Sequence, residues 1–302
     1  MSNVIGLDIG GTGTRLVLTN ERHEVLKEAK TATASFSANS IEQSIQHLYS
    51  WIQESTKDLS SIESVGIGST GPVNLVTGVI DNPDTLPQFS GIDLAGELAK
   101  KMKLSVWIDN DANAAGLSEA IFGAGKNYST VLCVTIGTGL GVSLFKDARP
   151  IRALDGQHPE GGHISVPQVS APCYCGLSAC WEMSASRLAL EEIAKARSEH
   201  FAINGRVDYS KFSESTWRDF GYRIADGLIT HLVISRPEVV VICGSITEQW
   251  DYFKPHLVQR LESHRGFNET KNIQASSIGD ISGALGATLL ARMKIGRGAH
   301  SA

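Results

Sequence analysis

The sequence predicts a two-domain α/β protein, and three observations indicate this fold class. Apolar strands alternate with amphipathic helices along the first part of the chain. Two glycine-rich turns, at Gly10–Gly13 and Gly137–Gly141, each follow a short apolar strand. The length of 302 residues suffices for two domains with a core each. We expect a smaller domain over residues 1–118, joined by a C-terminal helix at 282–294, and a larger domain over 119–281.

The first element is a strand at Val4–Leu7 that ends at Asp8, and an extended pattern resumes at Arg15–Thr19. This pattern predicts a hairpin with a glycine-rich tip. Such a tip points backbone N–H groups at one spot and can cradle phosphate, with Asp8 beside a bridging Mg²⁺. A hairpin with no ligand fits the same residues.

Local signals place the next elements. Ser40–Gln43 has the form of a capping box at the start of an amphipathic helix. Val65–Ile67 predicts a strand that opens into the loop Ser69–Pro72. Asp93 is predicted to cap a helix that runs through Met102, and Val106–Ile108 is predicted to be the following strand.

The strand at 106–108 leads into Asp109, Asn110 and Asp111, which precede an alanine-rich helix. A carboxylate at this junction can accept the proton of a substrate hydroxyl, and Asn110 can hold a neighbouring hydroxyl. Position alone favours a simpler role for Asp111, that of helix N-cap. The residues leave both roles open.

The second half of the chain continues the strand and helix pattern. The predicted elements are strands at Val131–Ile136 and Val239–Ile242 and helices at 184–197, 217–235 and Ser282–Met293. The turn Cys243–Ser245 is made of small residues and would let a nucleotide base or ribose approach the backbone. The tail from Gly296 is predicted to fray.

The stretch from Glu160 to Glu182 gathers one imidazole and three thiols, those of His163, Cys173, Cys175 and Cys180. Four such groups form a complete tetrahedral zinc set, which would serve structure because it leaves no open position. Buried thiols without a metal are the alternative. The flanking carboxylates Glu160 and Glu182 suggest recognition of a polyhydroxylated ligand.

Composition narrows the function class. The net charge of -5 and a pI near 6.0 provide no basic field for nucleic acid or an anionic membrane, so small-molecule partners are expected. No apolar run approaches the ~20 residues that span a bilayer. The amino terminus lacks the features of a signal peptide, and five cysteines, an odd number, fit a reducing compartment. We therefore expect a cytoplasmic protein.

Five motifs together resemble the ROK family of sugar kinases and sugar-responsive repressors. They are LDIGGT at 7–12, DNDANAA at 109–115, TIGTGLG at 135–141, EGGH at 160–163 and CYCGLSACWE at 173–182. The resemblance runs nearly end to end and implies an actin-like, or hexokinase-like, ATPase fold of ribonuclease H-like domains. The resemblance also implies an interdomain cleft and a structural zinc loop.

The resemblance implies a role for each matching residue. Asp111 would be the catalytic base of ATP-dependent hexose phosphorylation, with Mg²⁺ as cofactor. The sugar would be bound by Gly71, Asn110, Asp111, Glu160, His163 and Glu182. ATP would be bound by Asp8, Gly10, Gly11, Thr12, Gly137, Thr138, Gly139 and Gly244. Structural Zn²⁺ would be held by His163, Cys173, Cys175 and Cys180, and a homodimer is expected.

The sequence departs from the family pattern at several places. Ala179 and Pro159 stand where glycine is usual, Ile151 replaces an expected glycine, and Cys243–Ser245 replaces a double glycine. Glucose is the default substrate, and N-acetylmannosamine, fructose, allose, N-acetylglucosamine and β-glucosides stay open. A sugar-responsive repressor would need a DNA-binding segment ahead of Asp8, for which we expect no room. A silent sugar-binding protein is a third alternative.

Overall fold

The computed structural model describes residues 2–58, 60–154, 156–167, 171–203, 206–264 and 272–295. The chain divides into two compact units. Unit 1 takes the described residues within Met1–Phe122, Pro150–His158 and Asp280–Ala302, and unit 2 takes those within Gly123–Arg149 and Pro159–Gly279. The predicted tail from Gly296 lies outside the described residues.

Unit 1 is built on a five-stranded sheet and a separate antiparallel pair. The strands are β1 (Asn3–Ile9), β2 (Gly13–Thr19), β3 (Val25–Ala32), β4 (Ile62–Ser69), β5 (Val79–Ile80), β6 (Ile92–Asp93) and β7 (Ser105–Asn110). The sheet has the order β3-β2-β1-β4-β7, while β5 pairs with β6. Strands β1, β2 and β3 pair antiparallel, whereas β1, β4 and β7 pair in parallel.

Four α-helices accompany this sheet within the described residues of unit 1. They are α1 (Ile41–Thr56), α2 (Leu94–Met102), α3 (Asp111–Ile121) and α8 (Ser282–Ile295). The predicted caps are confirmed, because the Ser40 side chain accepts a hydrogen bond from the Gln43 N–H and Asp93 accepts one from Gly96. Each cap satisfies an N–H that the helix itself leaves without a partner.

Glycines allow helix α8 to pack directly on the sheet of unit 1. A Cβ on Gly6 of β1 would lie 1.9 Å from the Ala284 carbonyl oxygen, and one on Gly66 of β4 would lie 1.8 Å from that of Ala287. No side chain fits into such a gap. The absence of side chains at these positions therefore brings the C-terminal helix onto the two central strands.

Unit 2 has its own five-stranded sheet. Its strands are β8 (Thr130–Ile136), β9 (Leu140–Lys146), β10 (Arg149–Pro150), β13 (Val239–Cys243) and β14 (Ile273–Ala275). Strand β10 ends at Pro150, the first residue of the segment assigned to unit 1. Strand β11 (Ala202–Ile203) pairs separately with β12 (Arg206–Val207). The sheet order β10-β9-β8-β13-β14 repeats the strand order of unit 1. The helices are α4 (Glu182–Ala185), α5 (Arg187–Ala196), α6 (Glu214–Ser235) and α7 (Trp250–Glu262). The two sheets confirm an α/β fold.

Unit 2 differs from the sequence prediction in its helices. The helix predicted at 184–197 is two helices, because the backbone is extended at Ser186, whose side chain caps α5 by accepting from the Ala189 N–H. Helix α7 contains Pro255 and lacks a clear start signal, so the sequence pattern does not predict it. The apolar stripe of α6, which includes Trp217 and Phe220, packs in the core as predicted.

None of the helices in the described part of the chain combines the length and the apolar character needed to cross a membrane.

Candidate functional site

The glycine hairpin of unit 1 forms as predicted. Strands β1 and β2 pair antiparallel with Asp8 opposite Arg15, and the Gly10 N–H donates to the Gly13 carbonyl oxygen at 3.0 Å. A Cβ on Gly283, in the first turn of α8, would lie 2.5 Å from Asp8 Oδ2. The Asp8 carboxyl therefore lies between the hairpin and the beginning of α8.

The environment of Asp8 disfavours its charge. Burial raises the pKa of Asp8 to about 7, and the negative charges of Asp111 and Asp280 act in the same direction, while Arg15 opposes them. Arg15 is itself engaged, because it donates to the Asp280 carbonyl oxygen at 2.9 Å and to Asp280 Oδ2 at 2.5 Å. A positive charge close to this carboxyl would favour its ionised form and offset part of the penalty.

The end of β7 presents Asn110 and Asp111 at the junction with α3. The N-cap is Asn110, whose Oδ1 accepts from the Ala112 N–H at 2.8 Å. Asp111 is the first residue of the helix, so the expectation that Asp111 is the cap is wrong. Both residues can serve as caps, and strand pairing through Asn110 decides between them.

The Asp111 carboxylate is held by its neighbours. The Thr70 hydroxyl donates to Asp111 Oδ2 at 3.0 Å, and the Ala112 N–H donates to Oδ1 at 2.8 Å. Thr70 belongs to the loop after β4, where the Gly71 carbonyl oxygen accepts from Asn82 Nδ2 at 2.6 Å. These contacts give the carboxylate a defined orientation, as a positioned general base requires. The sequence gives no signal for the role of Thr70.

In unit 2 the predicted metal ligands come together. The ligand atoms of His163, Cys173, Cys175 and Cys180 all lie within 4.8 Å of one another. His163 Nδ1 lies 3.5 Å from Cys173 Sγ, and the sulfur atoms of Cys175 and Cys180 are 3.5 Å apart. A tetrahedral zinc–thiolate site places its ligand atoms roughly 3.5–3.8 Å apart. The donor set and the spacing therefore fit zinc.

Two residues of this loop, Gly176 and Ala179, have a positive φ. Gly176 has a φ of 88°, so the sharp turn expected between the cysteines is confirmed. Ala179 has a φ of 62°, in the left-handed region that favours glycine. The departure from the family pattern at Ala179 is thus a strained residue next to Cys180.

Tyr174 contacts one of the predicted metal ligands. Its hydroxyl lies 3.2 Å from His163 Nε2, and the negative charge of Glu182 acts on the same phenol. Although Tyr174 is 70% exposed overall, desolvation of its phenol, followed by the charge of Glu182, raises its pKa, so the phenol stays protonated. His163 Nε2 is therefore engaged by Tyr174, which leaves Nδ1 for a metal. The sequence pattern does not predict this contact of Tyr174 with His163.

Glu182 also contacts the second glycine turn. Its Oε2 accepts from the Leu140 N–H at 2.8 Å, and a Cβ on Gly139 would lie 2.5 Å from the same oxygen. Glu160 precedes a short 3-10 turn, and its carbonyl oxygen accepts from the His163 N–H at 3.0 Å. Glu182, a predicted sugar-binding residue, thus contacts the predicted phosphate-binding turn directly.

The second turn resembles the first in position, because each joins the first two strands of its sheet. The Gly137 N–H donates to the Gly139 carbonyl oxygen at 2.9 Å. Arg187 supports the turn, since its N–H donates to the Gly137 carbonyl oxygen at 2.9 Å and its Nη2 donates to Thr138 Oγ1 at 3.2 Å. The Arg187 guanidinium also pairs with Glu191, Nη1 to Oε1 at 3.1 Å, so its charge is partly compensated. The sequence pattern does not predict this residue at the turn.

Gly244 occupies a position that only glycine fits. Its φ is 89°, and a Cβ there would lie 2.4 Å from the Ile136 carbonyl oxygen. Ile136 is the last residue of β8, immediately before Gly137. The turn that carries Gly244 therefore packs against the start of the second glycine turn.

Comparison with known proteins matches the ROK family over residues 4–294. The glucokinase of Thermotoga maritima is 28% identical over 97% of this chain and 98% of its own length. The xylose repressor of Bacillus subtilis is 24% identical over 93% of this chain and 75% of the repressor. A ROK family glucokinase from Streptomyces griseus, solved in complex with glucose and AMPPNP, is 25% identical with a TM-score of 0.80, covering 96% and 99% of the two chains.

Proposed function

Because this chain belongs to the ROK family, we propose that it is an ATP-dependent sugar kinase that phosphorylates a hexose or hexose derivative at a primary hydroxyl. Glucose is the default acceptor. The observation that carries the proposal is the Asp111 carboxylate, fixed at the end of a parallel strand by Thr70 and the Ala112 N–H. A carboxylate held in this way can take the proton of the attacking hydroxyl.

The remaining acceptor contacts follow the chemistry of the residues. We assign sugar hydroxyls to Gly71, Asn110, Glu160, His163 and Glu182, together with Asp111. For His163 this requires the sugar hydroxyl to replace Tyr174 at Nε2, because Nδ1 is the proposed metal ligand. Amide and carboxylate oxygens accept hydrogen bonds from hydroxyls, and ionised acceptors give the stronger bonds. The identity of the hexose depends on how these groups match its hydroxyl pattern, so N-acetylmannosamine, fructose, allose, N-acetylglucosamine and β-glucosides are alternative acceptors.

The donor side of the proposal rests on the two glycine turns. In the assigned ATP site, glycines let the phosphates approach the backbone, threonines supply hydroxyls and Asp8 supplies a carboxylate. The assigned residues are Asp8, Gly10, Gly11, Thr12, Gly137, Thr138, Gly139 and Gly244. Mg²⁺ bound beside Asp8 would neutralise charge on the transferring phosphoryl group. The raised pKa of Asp8 supports this assignment, since a cation would stabilise the ionised form.

Zinc has a structural role in the proposal. His163, Cys173, Cys175 and Cys180 would hold the ion, which fixes the loop between Glu160 and Glu182. Glu182 follows Cys180 by two residues, so an ion held by Cys180 would also restrain the backbone that carries the Glu182 carboxylate. The cytoplasmic location suggested by a thiol-rich site and the homodimer suggested by the family resemblance stay predictions.

A sugar-responsive regulator is the second candidate, favoured by the similarity to a xylose repressor over 93% of this chain. A regulator would bind sugar without transferring phosphate, and it would bind a specific DNA sequence. The net charge of -5 argues for the kinase.

A coupled ADP-release assay across a panel of hexoses tests the proposal. We expect sugar-dependent ADP release that requires Mg²⁺, and a loss of about 10²- to 10⁴-fold in kcat for Asp111→Asn. Calorimetric titration with the same sugar should show that Asp111→Asn still binds it. Asp84→Asn, at a carboxylate outside the assigned set, is the control. Near-normal turnover by Asp111→Asn would refute the assigned base, and sequence-specific DNA binding without turnover would favour the regulator.

A further inference from the structure

The segment Pro150–His158 belongs to unit 1, although the residues on either side of it belong to unit 2. Its main anchor is Arg152, whose guanidinium forms an ion pair with Asp109. The Arg152 side chain is 23% exposed and that of Asp109 is 8% exposed. The pair is therefore largely withdrawn from water, and it joins two residues that are 43 positions apart.

Asp109 connects this anchor to the end of β7. Its Oδ1 accepts from the Asn110 N–H at 2.7 Å and from Asn113 Nδ2 at 3.0 Å, while Arg152 Nη1 lies 3.3 Å from the same oxygen and Nη2 binds Oδ2. Arg152 Nη1 also donates to the Gly156 carbonyl oxygen at 3.0 Å. Asp109 thus contacts the strand end, the first turns of α3 and the inserted segment at once.

Stability alone does not account for this pair. Burying two charges costs about as much as their attraction returns, and apolar residues of equal volume often stabilise a protein as well or better. A charged pair does fix geometry, because a planar guanidinium can hold both carboxylate oxygens in one orientation. Here the ion pair fixes the carboxylate of Asp109, which directly precedes Asn110 and Asp111.

We propose that Arg152 is a positioning residue that orients Asn110 and Asp111 through Asp109. The inference rests on the proposed function, because it gives Arg152 a role in the reaction assigned to Asp111. Arg152 has no role of its own in proton transfer. It holds the strand end so that the Asp111 carboxylate meets the acceptor hydroxyl in a productive geometry.

The same anchor affects the chain that follows it. The Ala153 N–H donates to the Gln157 carbonyl oxygen at 2.8 Å. Gln157 Nε2 donates to the Val73 carbonyl oxygen at 3.0 Å, which is a second contact between the segment and the rest of unit 1. Glu160 follows two residues after His158. Loss of Arg152 should therefore also raise the KM for the sugar, since it releases the segment that leads to a proposed hydroxyl contact.

Steady-state kinetics of Arg152→Ala and Arg152→Lys test the proposal. A misplacement of about 1 Å can cost about 10²-fold in rate, so we expect Arg152→Ala to lose about 10²-fold in kcat with a smaller rise in KM. Arg152→Lys should recover part of this loss, and added guanidinium ion should partly restore Arg152→Ala. Arg149→Ala, at an exposed position before the segment, is the matched control and should match the wild type.

A double variant separates positioning from folding. Asp109→Asn with Arg152→Met removes both charges and should recover the urea midpoint that Arg152→Ala loses. Activity should stay low if the pair orients Asp111, whereas recovery of activity together with stability would overturn the proposal.

Hydrogen exchange supplies a readout that does not need turnover. In Arg152→Ala the amides of Asn110 and Ala112 should exchange faster than in Arg149→Ala, and equal exchange would overturn the positioning role. If the wild type phosphorylates no hexose, the proposed function fails, and the exchange measurement still decides whether Arg152 orders the strand end.

Discussion

Replacing Asp8 with asparagine should remove a pH dependence of stability that the wild type carries. In the folded protein the pKa of Asp8 is about 7, compared with an ordinary value of 3.8 for an aspartate carboxyl. Between these values the folded state holds a proton that the unfolded state has released. Stability must therefore fall as the pH rises through this window, and it levels off above pH 7.

The size of the effect follows from the shift. Each pKa unit corresponds to about 1.4 kcal/mol, so the two units between pH 5 and pH 7 are worth at most about 3 kcal/mol. Partial solvent access at Asp8 reduces this figure. The asparagine side chain is neutral at every pH, so Asp8→Asn should gain on the wild type by up to about 3 kcal/mol between pH 5 and pH 8. The same variant should lose kinase activity, because the proposed Mg²⁺ loses its carboxylate.

Urea unfolding at pH 5 and pH 8, followed by circular dichroism, measures the difference. Asp58→Asn is the control, because hydrogen bonds from Ser60 lower the pKa of Asp58 and leave it ionised throughout the range. Millimolar Mg²⁺ at pH 8 should stabilise the wild type and leave Asp8→Asn unchanged. An equal pH dependence in the wild type and in Asp8→Asn would refute the argument that Asp8 is held against ionisation.

Two further predictions concern the zinc loop. Ala179→Gly should stabilise the loop by about 0.5–1 kcal/mol, because the left-handed backbone at Ala179 costs about 1–2 kcal/mol for alanine and glycine returns part of this in chain entropy. Thermal unfolding measures the gain, and Ala171→Gly, whose φ is not positive, should give none. Cys175→Ser should abolish stoichiometric zinc in metal analysis and raise the KM for sugar, since Glu182 lies two residues after Cys180 and loses the restraint of the metal-bound loop. Unchanged zinc content in Cys175→Ser would contradict the ligand assignment.

The features that the sequence predicts well are those whose cause is local. The caps at Ser40 and Asp93 depend on residues within one helical turn, and the metal cluster depends on thiols within eight positions of each other. The choice between Asn110 and Asp111 as cap is also local, but both residue types suit the position, and the pairing of β7 decides it. The break at Ser186 is similar, since serine is favoured at helix N-caps but also occurs inside helices, so its presence alone does not show that one helix ends there.

Other parts of the site depend on contacts across the chain that no local pattern encodes. Thr70 reaches Asp111 over 41 positions, and Arg152 reaches Asp109 over 43. In the sequence both are ordinary loop residues, and only the fold shows which carboxylates they contact. Such contacts are difficult to predict because they join residues that lie far apart in the sequence.

The glycine turns show how the fold strengthens a weak signal. Either turn alone is typical of any hairpin. In the structure each turn connects the first two strands of a sheet, and the two sheets share one strand order. Both turns also combine glycines with a threonine. The proposal that both turns bind phosphate predicts such a likeness, because a turn of this kind can aim backbone N–H groups at an anion.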